Sequence, residues 1–183
     1  KTSVSTFCRQ LWNALGINGI NIGTTGIEGS WSAPLNYTTP DPVKIHEVLS
    51  TAVSEGITHV AMEASSHGLD QRRLDGVEIK TAAFTNFSRD HLDYHVSIED
   101  YFNAKKVGVF NIDNKEIKKL CDWYALNNDV LTIGHDEMAD LVILDQKFNS
   151  TSQEVRFSFK DKIYQKSINL IGTFQAENLL MAA

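Results

Sequence analysis

The sequence has little of what marks disulfide-rich, membrane-spanning or nucleic-acid-binding proteins. It contains only two cysteines, Cys8 and Cys121, far apart in segments of helical pattern, so we expect buried reduced thiols of a cytosolic protein. No apolar run approaches the roughly 18 residues of a membrane-spanning helix, so no membrane span is predicted. A net charge of −6 argues against broad nucleic-acid binding, although local cations and helix N-termini still allow a small anionic ligand.

What is present is an alternation of helical patterns with short apolar runs of strand length. This alternation predicts an α/β fold with a doubly wound, mostly parallel sheet, and ITHVAMEAS and EIKTAAFTNFS are typical of strands buried on both faces. Between residues 97 and 127 the pattern is helical, and we expect two helices broken between Gly108 and Asp113. In the C-terminal third, closely spaced strand-like segments predict a small antiparallel or mixed sheet, followed by a final helix in GTFQAENLLMAA.

Local stop and start signals give the bounds of the first helices. Residues 2–15 are amphipathic and are followed by Gly16, a suitable residue for a helix C-terminus. Asp41 is positioned to cap a second helix, which carries Pro42 in its first turn and ends at Gly56.

Two dense polar clusters follow two of the predicted strands. EASSHGLDQRR comes after HVAM, and TNFSRDHLDYH comes after TAAF. Ligands of open α/β sheets bind beyond the carboxyl ends of the strands. Any single residue of these clusters is more often a solvated charge or a helix cap, but two clusters at successive strand ends favour a shared site.

The first cluster begins with Glu63, directly after an apolar strand pattern, where an ionised carboxylate is costly unless it is paired or binds a metal. Such a carboxylate suits Mg²⁺ near a phosphate group. In the second cluster His91, Asp93 and His95 alternate, and this spacing leaves a Zn²⁺ hydrolase open as a rival interpretation. Lys105 follows on a helical pattern, and its nitrogen binds a metal only when deprotonated or converted to a carbamate.

The chain begins Lys1-Thr2-Ser3 and runs straight into the first helical pattern, with no capping residue before it. Two interpretations fit this start. Lys1 is either an ordinary solvated residue or the lysine of a Gly-rich phosphate loop that ends in Gly-Lys-Thr.

TTPDP, EASSHGLDQRR, FTNFSRDHLDYH and YFNAK occur in an order and at spacings that resemble the Mur ligases of peptidoglycan synthesis. The resemblance covers residues 1–183 and corresponds to the central ATP-binding domain, which has a P-loop NTPase-like fold. Within the family, the chain is most similar to the members that add the third residue of the stem peptide. The family implies that a diamino acid, meso-diaminopimelate or L-lysine, is joined to UDP-N-acetylmuramoyl-L-alanyl-D-glutamate through an acyl phosphate.

The resemblance also implies the cofactors and partners of this reaction. The cofactors are ATP, two Mg²⁺ ions and a carbamylated lysine. The partners are the UDP-muramyl dipeptide and the diamino acid, with no nucleic acid and no membrane. We expect a cytoplasmic bacterial enzyme that is a monomer when full length.

By the same resemblance, catalytic and metal-binding roles fall on five residues. Lys1 contacts the β- and γ-phosphates, and Thr2 and Glu63 bind Mg²⁺. His91 binds a second Mg²⁺, and Lys105 is the lysine that becomes a carbamate and helps to hold it.

Nucleotide and substrate contacts are implied in the same way. Asn86 and Asn178 match nucleotide-binding positions, and a set of polar residues matches the positions that hold the UDP-muramyl dipeptide: Thr38, Thr39, Ser65, Gln71 and Arg73. Two departures stand out. The family's spacing back from the following Leu-Phe favours Lys106 over Lys105, and Gln175 stands where the family usually has an asparagine.

The expected organisation is a single domain, residues 1–183, that starts inside the phosphate loop. UDP-binding N-terminal and amino-acid-binding C-terminal domains are expected to lie outside this chain, which on its own should be inactive. The alternatives are a metal-dependent hydrolase that uses DHLDYH and a non-catalytic nucleotide-binding module.

Overall fold

The computed structural model describes residues 1–85 and 107–183, which divide into two units by their contacts. Of the described residues, the first unit contains 1–78 and 182–183, and the second contains 79–85 and 107–181.

The first unit is a three-stranded sheet with helices. Its elements are α1 (Thr2–Ala14), β1 (Gly19–Gly23), β2 (Gly26–Gly29), α2 (Pro42–Ser54), β3 (His59–Met62) and α3 (Ser66–Asp70). β1 lies in the centre, antiparallel to β2 and parallel to β3. The core of this unit joins apolar side chains of the sheet to the inner face of α2, and its buried members are Ile20, Ile22, Ile27, Val48, Ala52 and Ile57.

Helix ends in this unit follow the local signals of the sequence. Asp41 accepts a hydrogen bond from the backbone N–H of Lys44 (3.0 Å), which caps α2 as predicted. Gly16 and Gly56 adopt φ values of 73° and 70°, a left-handed conformation that ends a helix most readily at glycine. α1 begins directly after Lys1 without a side-chain cap, in agreement with the absence of a capping residue in the sequence.

The second unit is built on a six-stranded sheet. Its elements are β4 (Thr81–Phe84), β5 (Val107–Asn111), α4 (Lys115–Tyr124), β6 (Asp129–Gly134), β7 (Leu141–Phe148), β8 (Gln153–Phe159), β9 (Lys162–Ile168) and α5 (Thr173–Ala182), the last up to Met181. The strand order is β4-β5-β6-β7-β8-β9, with parallel pairing from β4 to β7 and antiparallel pairing from β7 to β9. The predicted α/β class is confirmed, and the antiparallel strands continue the parallel sheet instead of forming a sheet of their own.

The expectation of a break between two helices at residues 108–113 is wrong, because residues 107–111 form β5, hydrogen-bonded to both β4 and β6. A Cβ at Gly108 would lie 2.4 Å from the ring of Phe110 and 2.7 Å from that of Tyr124, so the glycine admits aromatic packing instead of ending a helix. A short apolar run does not distinguish a central strand from a helix by its periodicity. The helical prediction is confirmed at Lys115–Tyr124, whereas residues 97–106 lie outside the described residues.

β3 and β4 were both predicted to be buried on two faces, and neither is. His59 in β3 and Ala83 in β4 are exposed, whereas all five residues of β1 are buried. Apolar composition therefore predicted that these segments are strands, but it did not predict which strand is the most buried. The fully buried strand is β1, although it contains the polar residue Asn21. No helix in the described ranges is long and apolar enough to cross a bilayer.

The thiols give a testable consequence of this core. Cys121 is 4% exposed, and burial, followed by the negative charges of Asp122 and Asp140, raises the pKa of its thiol to about 11. Burial also raises the pKa of Cys8. Because the thiolate is the reactive form, we expect both to react with iodoacetamide at pH 8 at least about tenfold more slowly in the folded protein than in urea.

Peptide mapping by mass spectrometry measures the two rates separately. The rate at Cys121 should rise only as the pH approaches the raised pKa. Equal rates for Cys121 in the folded and unfolded protein would contradict its burial.

Candidate functional site

Glu63 lies directly after β3, and its side chain is buried, with 3% exposure. Its backbone N–H donates to the carbonyl oxygen of Ile22 (2.9 Å), which extends the pairing of β1 with β3. Its Oε1 accepts from the backbone N–H of Thr24 (3.0 Å), and its Oε2 accepts from Thr2 Oγ1 (2.9 Å). The carboxylate is therefore held by donors from the first turn of α1 and from the turn after β1.

The approach of this carboxylate to β1 depends on Gly23. A Cβ at Gly23 would lie 2.0 Å from Glu63 Oε1, far inside contact distance. Among the described residues, the ion pairs do not include Glu63, and the hydrogen bonds from Thr2 and Thr24 stabilise its charge. A buried carboxylate with this environment is a suitable ligand for a cation.

Thr39 joins the TTPDP segment to the segment that carries Glu63. Its side chain is 1% exposed. Thr39 Oγ1 donates to the carbonyl oxygen of Glu63 (2.9 Å) and accepts from the backbone N–H of Ser65 (2.9 Å). Ser65 Oγ in turn caps α3 by accepting from the N–H of Gly68 (3.1 Å), and the hydroxyls of Thr38 and Thr24 lie 3.1 Å apart.

Arg73 also hydrogen-bonds to this group of residues. Its Nη1 donates to the carbonyl oxygen of Thr39 (2.7 Å), while Nε and Nη2 donate to Gln71 Oε1 (2.9 and 2.6 Å). The guanidinium carbon lies 5.5 Å from the ring centroid of Tyr37, within the range of a cation–π contact. These bonds use three of the five N–H groups of the guanidinium and fix its plane.

The structure thus brings together most of the site residues that were predicted from the start of the chain, from TTPDP and from the first cluster: Thr2, Thr38, Thr39, Glu63, Ser65, Gln71 and Arg73. Lys1 is exposed and immediately precedes α1. Asn178 lies half-buried on α5, in the second unit. The roles of all these residues remain predictions.

Asn86, His91 and Lys105 lie outside the described residues, as does the whole DHLDYH segment on which the hydrolase interpretation depends. On α5, the Oε1 atom of Gln175, at the position of the family's asparagine, is buried and has no hydrogen-bond partner among the described residues.

Thr24 and Tyr37 were not among the predicted site residues. Thr24 supplies a backbone donor to Glu63, and Tyr37 supports the guanidinium of Arg73. Thr24 follows β1 directly, so the rule that placed the site at strand ends, applied to the GTTG turn, would have found it. Tyr37 had no such signal, because its contact is set by the fold of the loop.

Together these features define an α/β domain with a buried carboxylate beside a helix N-terminus, at the carboxyl end of a parallel strand pair. The profile of the Mur ligase middle domain matches residues 1–183. The chain therefore belongs to the Mur ligase middle domain family.

Individual relatives agree with this assignment. A protein of Brucella melitensis named UDP-N-acetylmuramoyl-L-alanyl-D-glutamate--2,6-diaminopimelate ligase is 41% identical over 198 residues, covering 100% of this chain and 40% of that protein. A ligase of the same name from Rhizobium meliloti is 40% identical, with the same coverage. The chain spans about 40% of the length of these curated relatives.

Solved structures show the same relationship. A structure of a ligase of this name has a TM-score of 0.83 at 31% identity and covers 100% of this chain and 40% of that one. The folylpolyglutamate synthetase of Lactobacillus casei has a TM-score of 0.70 at 10% identity, covering 100% of this chain and 53% of its own, and shows a common fold alone.

The bonds of Thr39 predict a large effect for a small change. Thr39→Val keeps the shape of the side chain but leaves the N–H of Ser65 and the carbonyl oxygen of Glu63 without this partner. We expect a loss of about 1–3 kcal/mol in the free energy of unfolding, measured by urea denaturation. The control Thr25→Val, at an exposed threonine of the same unit, should change it by less than about 0.5 kcal/mol. Equal effects of the two substitutions would show that the hydroxyl of Thr39 does not join the two segments.

Proposed function

We propose that this chain is the central ATP-binding domain of a longer Mur ligase that joins a diamino acid to UDP-N-acetylmuramoyl-L-alanyl-D-glutamate. The observation that carries the proposal is the contact of Thr2 with buried Glu63 at the start of α1. It is supported by relatives along the whole chain that are named diaminopimelate ligases. Their name favours 2,6-diaminopimelate over L-lysine as the amino acid.

The reaction proceeds in two steps. A carboxylate oxygen of the D-glutamate attacks the γ-phosphorus of ATP, and ADP leaves. The amine of the diamino acid then attacks the acyl carbon, the C–O bond to phosphate breaks, and the nitrogen loses a proton, which gives an amide and inorganic phosphate. Phosphoryl transfer of this kind depends on in-line positioning and on neutralisation of the phosphate charge.

Lys1 and the N-terminus of α1 neutralise phosphate charge in this proposal. Lys1 would contact the β- and γ-phosphates, and the N–H groups of the first turn of α1 would be available to the same oxygens. Thr2 and Glu63 present a hydroxyl and a carboxylate oxygen 2.9 Å apart, and oxygen donors of this type fit Mg²⁺. These two residues would hold one Mg²⁺, which when bound neutralises charge on the phosphate oxygens.

The remaining roles follow the family resemblance. His91 and carbamylated Lys105 would hold a second Mg²⁺, and Asn86 and Asn178 contact the nucleotide. Arg73, with its plane fixed by Gln71 and Thr39, offers a guanidinium to an anionic group of the UDP-muramyl dipeptide. Thr38 and Ser65 complete the same binding surface. The full-length enzyme acts as a monomer in the bacterial cytoplasm.

Glu63→Gln in the full-length protein tests the central role of the buried carboxylate. The amide oxygen still accepts a hydrogen bond, so the fold should persist by circular dichroism, while the charge that holds the cation is lost. We expect kcat for ATP-dependent formation of the UDP-muramyl tripeptide to fall about 100-fold or more. The control Glu47→Gln, at an exposed residue of α2, should leave kcat unchanged. A wild-type rate for Glu63→Gln would overturn the assignment, and a wild-type full-length protein that forms no amide would favour the non-catalytic module.

Lys105 and Lys106 provide a matched pair for the carbamate. Lys105→Ala should reduce phosphate release in the presence of the muramyl dipeptide and diaminopimelate by about 100-fold or more, because a ligand of the second cation is lost. Lys106→Ala should stay close to wild type in the same assay. The reverse result would move the carbamate to Lys106, and unchanged activity of both variants would remove it from the mechanism.

A further inference from the structure

A second group of ionisable side chains lies in the six-stranded unit and includes none of the residues assigned to the proposed ligase site. Asp113 follows β5, His135 follows β6, and Glu177 lies on α5. One ligand atom from each lies within 4.8 Å of the others. Because β5 and β6 are adjacent and parallel, Asp113 and His135 both follow carboxyl ends of strands, where α/β sheets bind ligands.

The imidazole of His135 is held in a fixed orientation. Asp113 Oδ1 accepts from the backbone N–H of His135 (2.7 Å), and Asp113 Oδ2 lies 2.7 Å from His135 Nδ1. This approach requires Gly134, since a Cβ there would lie 2.5 Å from Asp113 Oδ1.

The side chain of Gln146 lies near the imidazole and contributes to the raised pKa of His135. The amide nitrogen of Gln146 donates to Gln153 Oε1 (3.1 Å) and to the carbonyl oxygen of Thr173 (3.2 Å).

Asp113 and Glu177 both hydrogen-bond to the same buried residue, Asn111. Asn111, which is 5% exposed, donates from Nδ2 to Glu177 Oε2 (2.7 Å) and accepts on Oδ1 from the backbone N–H of Asp113 (3.1 Å). One buried amide thus positions two residues of the group, as outer contacts do around metal ligands.

The electrostatics of the group also favour a cation. Partial burial tends to lower the pKa of His135, but the hydrogen bond and charge of Asp113, with Gln146 and Glu177, raise it above its usual value. Two carboxylates thus act on one imidazole, and the group presents more negative than positive charge.

We propose that Asp113, His135 and Glu177 form a binding site for a divalent transition-metal ion, with Zn²⁺ as the representative ion. Zn²⁺ accepts the mixture of one imidazole nitrogen and two carboxylate oxygens, whereas Mg²⁺ and Ca²⁺ prefer oxygen ligands alone. Metal binding at His135 Nδ1 would release the Nδ1 proton to solvent, and Nδ1 and Asp113 Oδ2, now 2.7 Å apart, would separate by about 0.5 Å to reach the spacing of two zinc ligands. Glu177 would supply the third ligand, and water would complete the coordination.

Calorimetric titration of Zn²⁺ into the full chain, with millimolar Mg²⁺ present to occupy oxygen-only sites, tests this proposal. We expect one Zn²⁺ per chain with micromolar affinity. His135→Asn and Glu177→Gln should each weaken binding at least about tenfold. The control His46→Gln, at an exposed histidine of α2, should leave binding unchanged.

A nuclear magnetic resonance spectrum of the histidine rings gives a second readout that does not depend on ligase activity. Zn²⁺ should shift the Nδ1 resonance of His135 and leave that of His46 in place. Absence of Zn²⁺ binding, an unshifted His135, or an affinity that is the same in His135→Asn and wild type would each overturn the proposal.

Discussion

The first unit is organised around a carboxylate that is buried without an ion pair among the described residues. Removing Glu63 from water is costly, and the cost is met by donors from two separate elements, the start of α1 and the turn after β1. These bonds fix α1 against the end of β3, so the position of the helix N-terminus follows from the need to satisfy one charge. The proposed phosphate site depends on this placement.

Thr39 extends the same constraint to the loops. Its single hydroxyl bonds the backbone on both sides of Ala64, and its carbonyl oxygen receives Arg73. The loop that carries Thr38 and Thr39 and the loop that carries Ser65 are therefore one hydrogen-bonded structure. A guanidinium held by such a structure loses little conformational entropy when it binds an anion, which suits the substrate role proposed for Arg73.

Features that depend on residues close together in the chain were predicted correctly from the sequence. Features that depend on contacts between distant segments were not. The caps at Asp41, Gly16 and Gly56 were correct because each acts within one helical turn. β5 was missed because its glycine is explained by packing of Phe110 and Tyr124, which no local pattern reveals. The grouping of Glu63 with Ser65 followed from the strand-end rule, which also reaches Thr24, but the contact of Tyr37 with Arg73 is set by the fold of a loop.

The side chain of Glu63 fills the space that a side chain at position 23 would need. A Cβ at Gly23 would overlap the carboxylate. The two positions are therefore not free to vary independently. A larger residue at 23 is compatible only with a shorter one at 63, and a shorter one at 63 leaves a gap that position 23 is placed to fill. A substitution at position 23 therefore calls for a matching change at position 63, so a library that varies both positions together should retain this strand end more often than one that varies position 23 alone.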